Sequence, residues 1–286
     1  MAAAPSETTL RADIVEVGRR LYARGYCAAN DGNLSVRLDD GRLLTTPKGV
    51  SKGFMTPDMM VVTDLSGKKL SGDREPSSEL LMHLAVYRTR PDVRAVVHAH
   101  PPLATGFAVA GIPLDRAVLA EVVTTLGSVP IAEYGTPSTP ELAEAVAAHI
   151  KIHDGLLLAN HGAITVGQEL YATYYKMETI EHFAKISLVA RLLGRERLLS
   201  REEVDRLQQL RGRYGIAAPA PICPPGESGS APARDAAEAC QVIQAPDVPP
   251  GGPRLVPDTA LGADQEIRLT YGELAALIED AVRSLR

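Results

Sequence analysis

The sequence predicts an α/β fold over residues 1–215, an αβα sandwich with a central, largely antiparallel sheet. Three observations predict it. Short β-branched runs come in pairs joined by turns, which builds hairpins rather than crossovers. Amphipathic helical stretches fall between them irregularly, without the strand–helix–strand rhythm of a doubly wound sheet. The chain of 286 residues is 45% apolar and 23% charged, enough to bury a core against both faces of a sheet.

The elements follow in order. A helix fits residues 8–24, with Leu10, Ile14, Val17 and Leu21 on one face. SVRL (35–38) and RLLTTP (42–47) read as two strands about an Asp39-Asp40-Gly41 turn. Residues 59–70 read as a second hairpin turning at Ser66-Gly67. A helix is expected over 77–89, carrying Leu80, Leu84 and Tyr87 on one side. VRAVVHAH (93–100) is a strand by its β-branched run, and a short helix fits 102–110. PELAEAVAAHI (140–150) is an amphipathic helix, and GLLLANHG (155–162) is a buried strand ending in a polar turn. Two helices, 168–193 and 200–212, complete the folded part.

Composition excludes several functions. Thirty basic against 35 acidic residues leave a net charge of −5, so no basic field exists to hold nucleic acid. No apolar run approaches the roughly 20 residues of a membrane helix. Arg11, Asp13 and Glu16 stand where a signal peptide needs an apolar stretch. Cys27, Cys223 and Cys240 form no disulfide framework and no CxxC pair, which points to a reducing, cytoplasmic setting. Cys27, with only Arg24 as a basic neighbour, reads as structural.

Beyond residue 215 the composition changes. Ten of the 21 prolines fall within residues 216–268, a stretch with few large apolar side chains that reads as an extended linker. Residues 269–286 read as an amphipathic helix, with Leu274, Leu277, Ile278, Ala281, Val282 and Leu285 forming a stripe. Thr270 and Glu273 make a capping-box pattern at its start.

The chemistry concentrates in five places. His98-Ala99-His100 ends a strand, and residues two apart on a strand share a face, so both imidazoles can reach one cation. His161 ends another strand and is a third candidate ligand. Three His ligands leave a fourth position open, the pattern of a catalytic metal. Glu79, in EPSSE, is a carboxylate able to fill that position and act as a base, although Ser77 and Ser78 followed by an acid also suit a plain helix start. Free N–H groups at that start suit an anion. Asp31-Gly32-Asn33 and Thr46-Pro47-Lys48-Gly49 are two further loops where backbone can approach an anion, and each is also an ordinary turn signal. His83, one turn after Glu79, reads as a packed helix histidine or a partner of the site.

These stretches together carry a resemblance. GNLSVR (32–37), TPKG (46–49), PSSE (76–79), AVVHAHPP (95–102) and ANHG (159–162) are similar, in order and spacing, to the class II aldolase/adducin family and its L-fuculose-1-phosphate aldolases. The resemblance covers about residues 8–215. It implies one zinc ion per subunit, with His98, His100, His161 and Glu79 as ligands and Glu79 as acid/base once substrate displaces it. It also implies that Asn33, Gly49, Ser77 and Ser78 hold a substrate phosphate, with Gly32 and Lys48 in the same loops. A homotetramer with sites between subunits is implied as well. Tyr214 matches a second family tyrosine, a proton donor or simply an anchor at a helix end. Two departures stand out: Lys48 replaces a hydroxyl residue, and Leu119 stands where fuculose aldolases carry a tyrosine that serves the aldehyde from a neighbouring subunit.

The implied reaction is reversible, zinc-dependent aldol cleavage of a phosphorylated ketose to dihydroxyacetone phosphate and an aldehyde. Epimerase, dehydratase and sugar-acid-phosphate decarboxylase are alternatives on the same fold. A non-catalytic adducin-like binding module is another, disfavoured by the full histidine set. The linker and terminal helix resemble an encapsulation peptide of bacterial microcompartments. The implied partner is a shell protein, and a helix packed on its own tetramer is the competing expectation.

Overall fold

The computed structural model describes residues 5–214 and Ile216. The linker beyond Ile216 and the terminal helix expected over 269–286 lie outside the described residues.

Eight strands form one sheet: β1 (Asn33–Arg37), β2 (Leu43–Thr45), β3 (Val61–Thr63), β4 (Lys69–Ser71), β5 (Ala95–Ala99), β6 (Ile131–Ala132), β7 (Gly155–Leu158) and β8 (Gly162–Gly167). Their order is β4-β3-β2-β1-β5-β8-β7-β6, and every neighbouring pair is antiparallel except β6–β7. Among the described residues, seven α-helices flank it: α1 (Glu7–Ala23), α2 (Leu80–Thr89), α3 (Pro102–Val109), α4 (Ala120–Thr125), α5 (Pro140–Ile150), α6 (Leu170–Leu192) and α7 (Arg201–Arg213).

Period-two alternation decides which helix covers which face. Leu34, Val36, Val97, Leu157 and Ala163 face a core with α1, α3 and α6, where Ile14, Val17, Phe107, Tyr174, Met177 and Phe183 are buried. Val96, Leu156, Leu158, Ile164 and Val166 face the opposite core, closed by α2 and α5 through Leu84, Val86, Leu142 and Val146. A small satellite cluster of Ala117, Val123 and Val204 joins α4 to α7. The αβα sandwich is therefore the observed architecture.

Most element boundaries match the sequence reading, with informative exceptions. The helix expected from residue 77 starts at Leu80, and Glu79 is its N-cap residue. Ser77 instead closes the turn before it: its Oγ accepts from Glu79 N and its carbonyl accepts from Leu80 N. Three elements have no counterpart in the sequence reading. GAITVG (162–167), with β-branched Ile164, Thr165 and Val166, is β8, paired on both sides and wholly buried. Strand β6 has two residues and α4 has six, too short for periodicity to show.

Candidate active site

Strand register sets the first pair of site residues. Asn33 opens β1 and lies opposite His98 of β5. Both share the sheet face that α2 covers, so the N-cap residue of α2 comes over them. Asn33 Nδ2 donates to Glu79 Oε2 at 2.8 Å, and His98 Nε2 lies 3.4 Å from the same oxygen. His161 Nε2 lies 3.1 Å from Glu79 Oε1.

The β7–β8 hairpin supplies His161. Leu158 pairs with Gly162, so Ala159, Asn160 and His161 form the turn, and Asn160 takes φ +54°, a left-handed conformation asparagine tolerates better than most residues. The residue after the turn must be glycine. A Cβ at Gly162 would stand 2.6 Å from Ala99 O and 2.6 Å from His100 Cδ2. Gly32 plays the same part on the other side: with φ +73°, its Cβ would meet His98 O at 2.8 Å. Two side-chain-free positions thus let both loops close on the histidine strand.

The three rings face one another with centroids 4.8–4.9 Å apart. His98 donates from Nδ1 to Ala163 O at 2.9 Å, which turns Nε2 toward Glu79 and the other two rings. His100 Nδ1 lies 3.5 Å from Asp31 Oδ2, and its Nε2 lies 3.1 Å from His98 Nε2. Two ring nitrogens this close share either a proton or a cation. Tetrahedral ligands at about 2.0–2.1 Å from a metal stand roughly 3.3 Å from each other, so the spacing fits one ion. The ligand atoms of His98, His100 and His161 lie within 4.8 Å of one another. Burial, then the neighbouring His98 and His161, push the His100 pKa down to about 3, keeping it neutral and available as a ligand. Burial works against the Glu79 carboxylate, but the electrostatic pull of the His98 ring and hydrogen bonding by His161 and His98 outweigh it and hold its pKa well below the usual range. The donor set therefore fits a metal ion.

The two other loops meet beside Glu79. Lys48 N donates to Glu75 O at 2.9 Å, Ser77 N donates to Thr46 O at 3.1 Å, and Pro47 faces Pro76 in an antiparallel bridge. TPKG and PSSE are thus laid side by side, with Lys48, Gly49 and Ser78 exposed and Ser77 half-buried. Gly32 and Asn33 are buried at the inner end of the same region. Tyr214 stands apart: it follows the last residue of α7 and is 67% exposed. The half-buried anchor expected there is not what the single chain shows.

Matching the model of the class II aldolase and adducin N-terminal domain, residues 12–188 cover more than half of the chain. The chain belongs to the class II aldolase and adducin family. Among its relatives is a 3-oxo-tetronate 4-phosphate decarboxylase from Pectobacterium atrosepticum, 36% identical over 192 residues, 66% of this chain and 88% of the relative. An L-fuculose phosphate aldolase from Methanococcus maripaludis is 34% identical over 178 residues, 62% of this chain and 95% of the relative. The L-fuculose-1-phosphate aldolase of Thermus thermophilus superposes with a TM-score of 0.58 at 36% identity, over 64% of this chain and 94% of that one. Among the described residues of this class II aldolase homologue, no helix is long and apolar enough to cross a membrane.

Sequence reasoning missed several supporting groups. Ala163 O, which accepts from His98 Nδ1, is a backbone atom of β8 and has no residue-type signal. Asp31 appeared as part of an anion loop, whereas the structure turns its carboxylate toward His100. His83 is a packed histidine: Ser35 Oγ and His83 Nδ1 are 2.7 Å apart, and burial, with His98 nearby, pushes its pKa down to about 3. Cys27 is buried, and that burial raises its thiol to about 12, in keeping with a structural role.

Proposed function

We propose that this protein is a zinc-dependent lyase that breaks a carbon–carbon bond in a small phosphorylated keto compound, releasing the enediolate of dihydroxyacetone phosphate. The observation that carries the proposal is the Glu79 carboxylate held within 3.4 Å of two of three converging imidazoles. Zinc bound by His98, His100 and His161 supplies Lewis-acid stabilisation of the negative charge that develops on substrate oxygens. The chain does the rest. Asn33 donates to Glu79 Oε2 and leaves Oε1, beside His161 Nε2, to carry a proton to or from the reacting carbon. Gly32, Asn33, Lys48, Gly49, Ser77 and Ser78 hold the phosphate and so fix which carbon lies under Glu79.

Decarboxylation of a 3-oxo sugar-acid phosphate is the reading we favour. A 3-oxo acid loses CO₂ without a base at the leaving group, whereas retro-aldol cleavage must take a proton from the hydroxyl that becomes the aldehyde. Leu119, half-buried against the α1–α3–α6 core, offers no such group. The decarboxylases among the relatives agree with this choice. Aldol cleavage, the expectation from sequence, remains the second reading and is favoured by the fuculose phosphate aldolases at similar identity. It needs a base other than residue 119, and Tyr214 of a neighbouring subunit is the candidate. A homotetramer with sites between subunits belongs to the same proposal, as do a cytoplasmic setting and docking of residues 269–286 to a microcompartment shell.

The test offers zinc-loaded protein 3-oxo-tetronate 4-phosphate and, separately, a panel of ketose 1-phosphates. CO₂ and dihydroxyacetone phosphate from the first support decarboxylation. Aldehyde from the second with no CO₂ from the first overturns it in favour of aldol cleavage.

A further inference from the structure

Lys52 is the only lysine among the described residues whose side chain is buried, at 1% exposure. It sits in a short 3-10 turn, Lys52–Phe54, pressed on α1 at Gly18, where a Cβ would stand 2.8 Å from Lys52 O. Its ammonium donates to Asn30 O at 2.9 Å and to Val50 O at 2.7 Å. Asn30 lies three residues before Asn33, and Val50 directly follows Gly49. One buried cation therefore ties together the two loops that carry Gly32, Asn33, Lys48 and Gly49.

No carboxylate forms an ion pair with Lys52 among the described residues; its acceptors are neutral carbonyls. Burying an ammonium this way is costly, and a nearby anion offsets the cost. Burial lowers its pKa, while Cys27, Asp31 and Glu79 act in the opposite direction. A bare structural strut needs no charge, since a neutral donor can hold a carbonyl.

We propose that Lys52 is a positioning residue for the substrate phosphate, fixing the spacing of the 28–33 and 46–50 loops and placing a positive charge beneath the anion they bind. This rests on the reading that these loops hold phosphate. Bound phosphate then completes the charge balance of the buried ammonium, and the two loops tighten as one unit.

The experiment measures binding of inorganic phosphate to the full-length, zinc-loaded protein by calorimetry, for the parent chain, Lys52→Met and Lys52→Gln. Methionine keeps the volume without a donor; glutamine keeps a donor without the charge. The expected result is at least about a tenfold loss of phosphate affinity in both variants, with zinc content unchanged. A folded, zinc-replete variant that binds phosphate like the parent overturns the proposal. Hydrogen exchange on the parent chain gives a reading that needs no variant: phosphate should slow exchange in residues 28–33 and 46–50 together, and protection of one loop alone also overturns it. If the parent chain binds no phosphate at all, the phosphate reading itself falls, an outcome distinct from failure of the Lys52 role.

Discussion

Asn33 and Glu79 are joined by a 2.8 Å hydrogen bond from Nδ2 to Oε2, which ties the first residue of β1 to the N-cap residue of α2. The bond holds one carboxylate oxygen and leaves the other beside His161. Asn33→Ala should therefore leave the metal in place but let the carboxylate turn. Hydrogen bonds to charged groups contribute about 1.5–3 kcal/mol, so kcat should fall by about ten- to a hundredfold. Steady-state kinetics with parallel metal analysis checks this, and an Asn33→Ala protein with parental kcat would show that the bond does not orient the base.

Glu79→Gln retains the shape and removes the ability to take up a proton. Activity should drop by roughly 10²–10⁴ if Glu79 is the acid/base. Fold and zinc content should persist, since three histidines remain. Exchange of the substrate-derived C–H with deuterated water, followed by NMR, isolates the proton step. Undiminished exchange in the variant would assign that step to another residue.

Metal removal should destabilise the protein as well as inactivate it. A ligand that binds only the native state at a hundred times its Kd adds about 2.7 kcal/mol to stability. Chelation should lower the thermal midpoint, and zinc should restore it. His98→Ala and His161→Ala should each lose the metal and the chelator effect together. Metal content of about one per chain in both variants would refute the ligand assignment.

His83 gives a pH signature independent of turnover. Its pKa is about 3 in the fold, against the ordinary value of 6.5. Between those values the unfolded chain binds a proton that the folded chain does not. Stability is therefore intact above pH 6.5 and falls as pH drops toward 3, by up to about 1.4 kcal/mol per pH unit for this group. Urea midpoints from pH 7 to 5 should fall less steeply for His83→Gln than for the parent chain. Parallel slopes would remove His83 as the cause.

The C-terminal segment is tested by deletion of residues 216–286. Every candidate site residue lies upstream, so metal content, assembly and turnover should survive. Recruitment to microcompartment shells should be lost, and the pair Leu277→Glu and Ile278→Glu, mid-stripe in the expected helix, should reproduce that loss. Co-purification with shells is the readout. A truncated protein that dissociates to monomers would place the segment within the oligomer instead.

The sequence by itself determined most of the helices and the strand that carries His98 and His100, because those features are local. Periodicity of 3.6 marks a helix face in Leu10, Ile14, Val17 and Leu21, and a β-branched run ending in His-Ala-His needs no distant partner to be read. His161 and Glu79 were legible as candidates by residue type and order. Only the tertiary structure decided how they meet. The pairing of Asn33 with His98, the Nδ1 bond from His98 to Ala163 O, and the approach of Gly162 to Ala99 join residues tens of positions apart. Strand β8 has β-branched Ile164, Thr165 and Val166, but its place between β5 and β7 is decided by pairing on both sides. Lys52 is the sharpest case: a lysine beside a glycine carries no local sign of burial, and it is buried by packing of its turn on α1 at Gly18 and by its bonds to Asn30 O and Val50 O. Local pattern is written in neighbouring residues, whereas register, close approach and burial depend on strand pairing across the whole sheet.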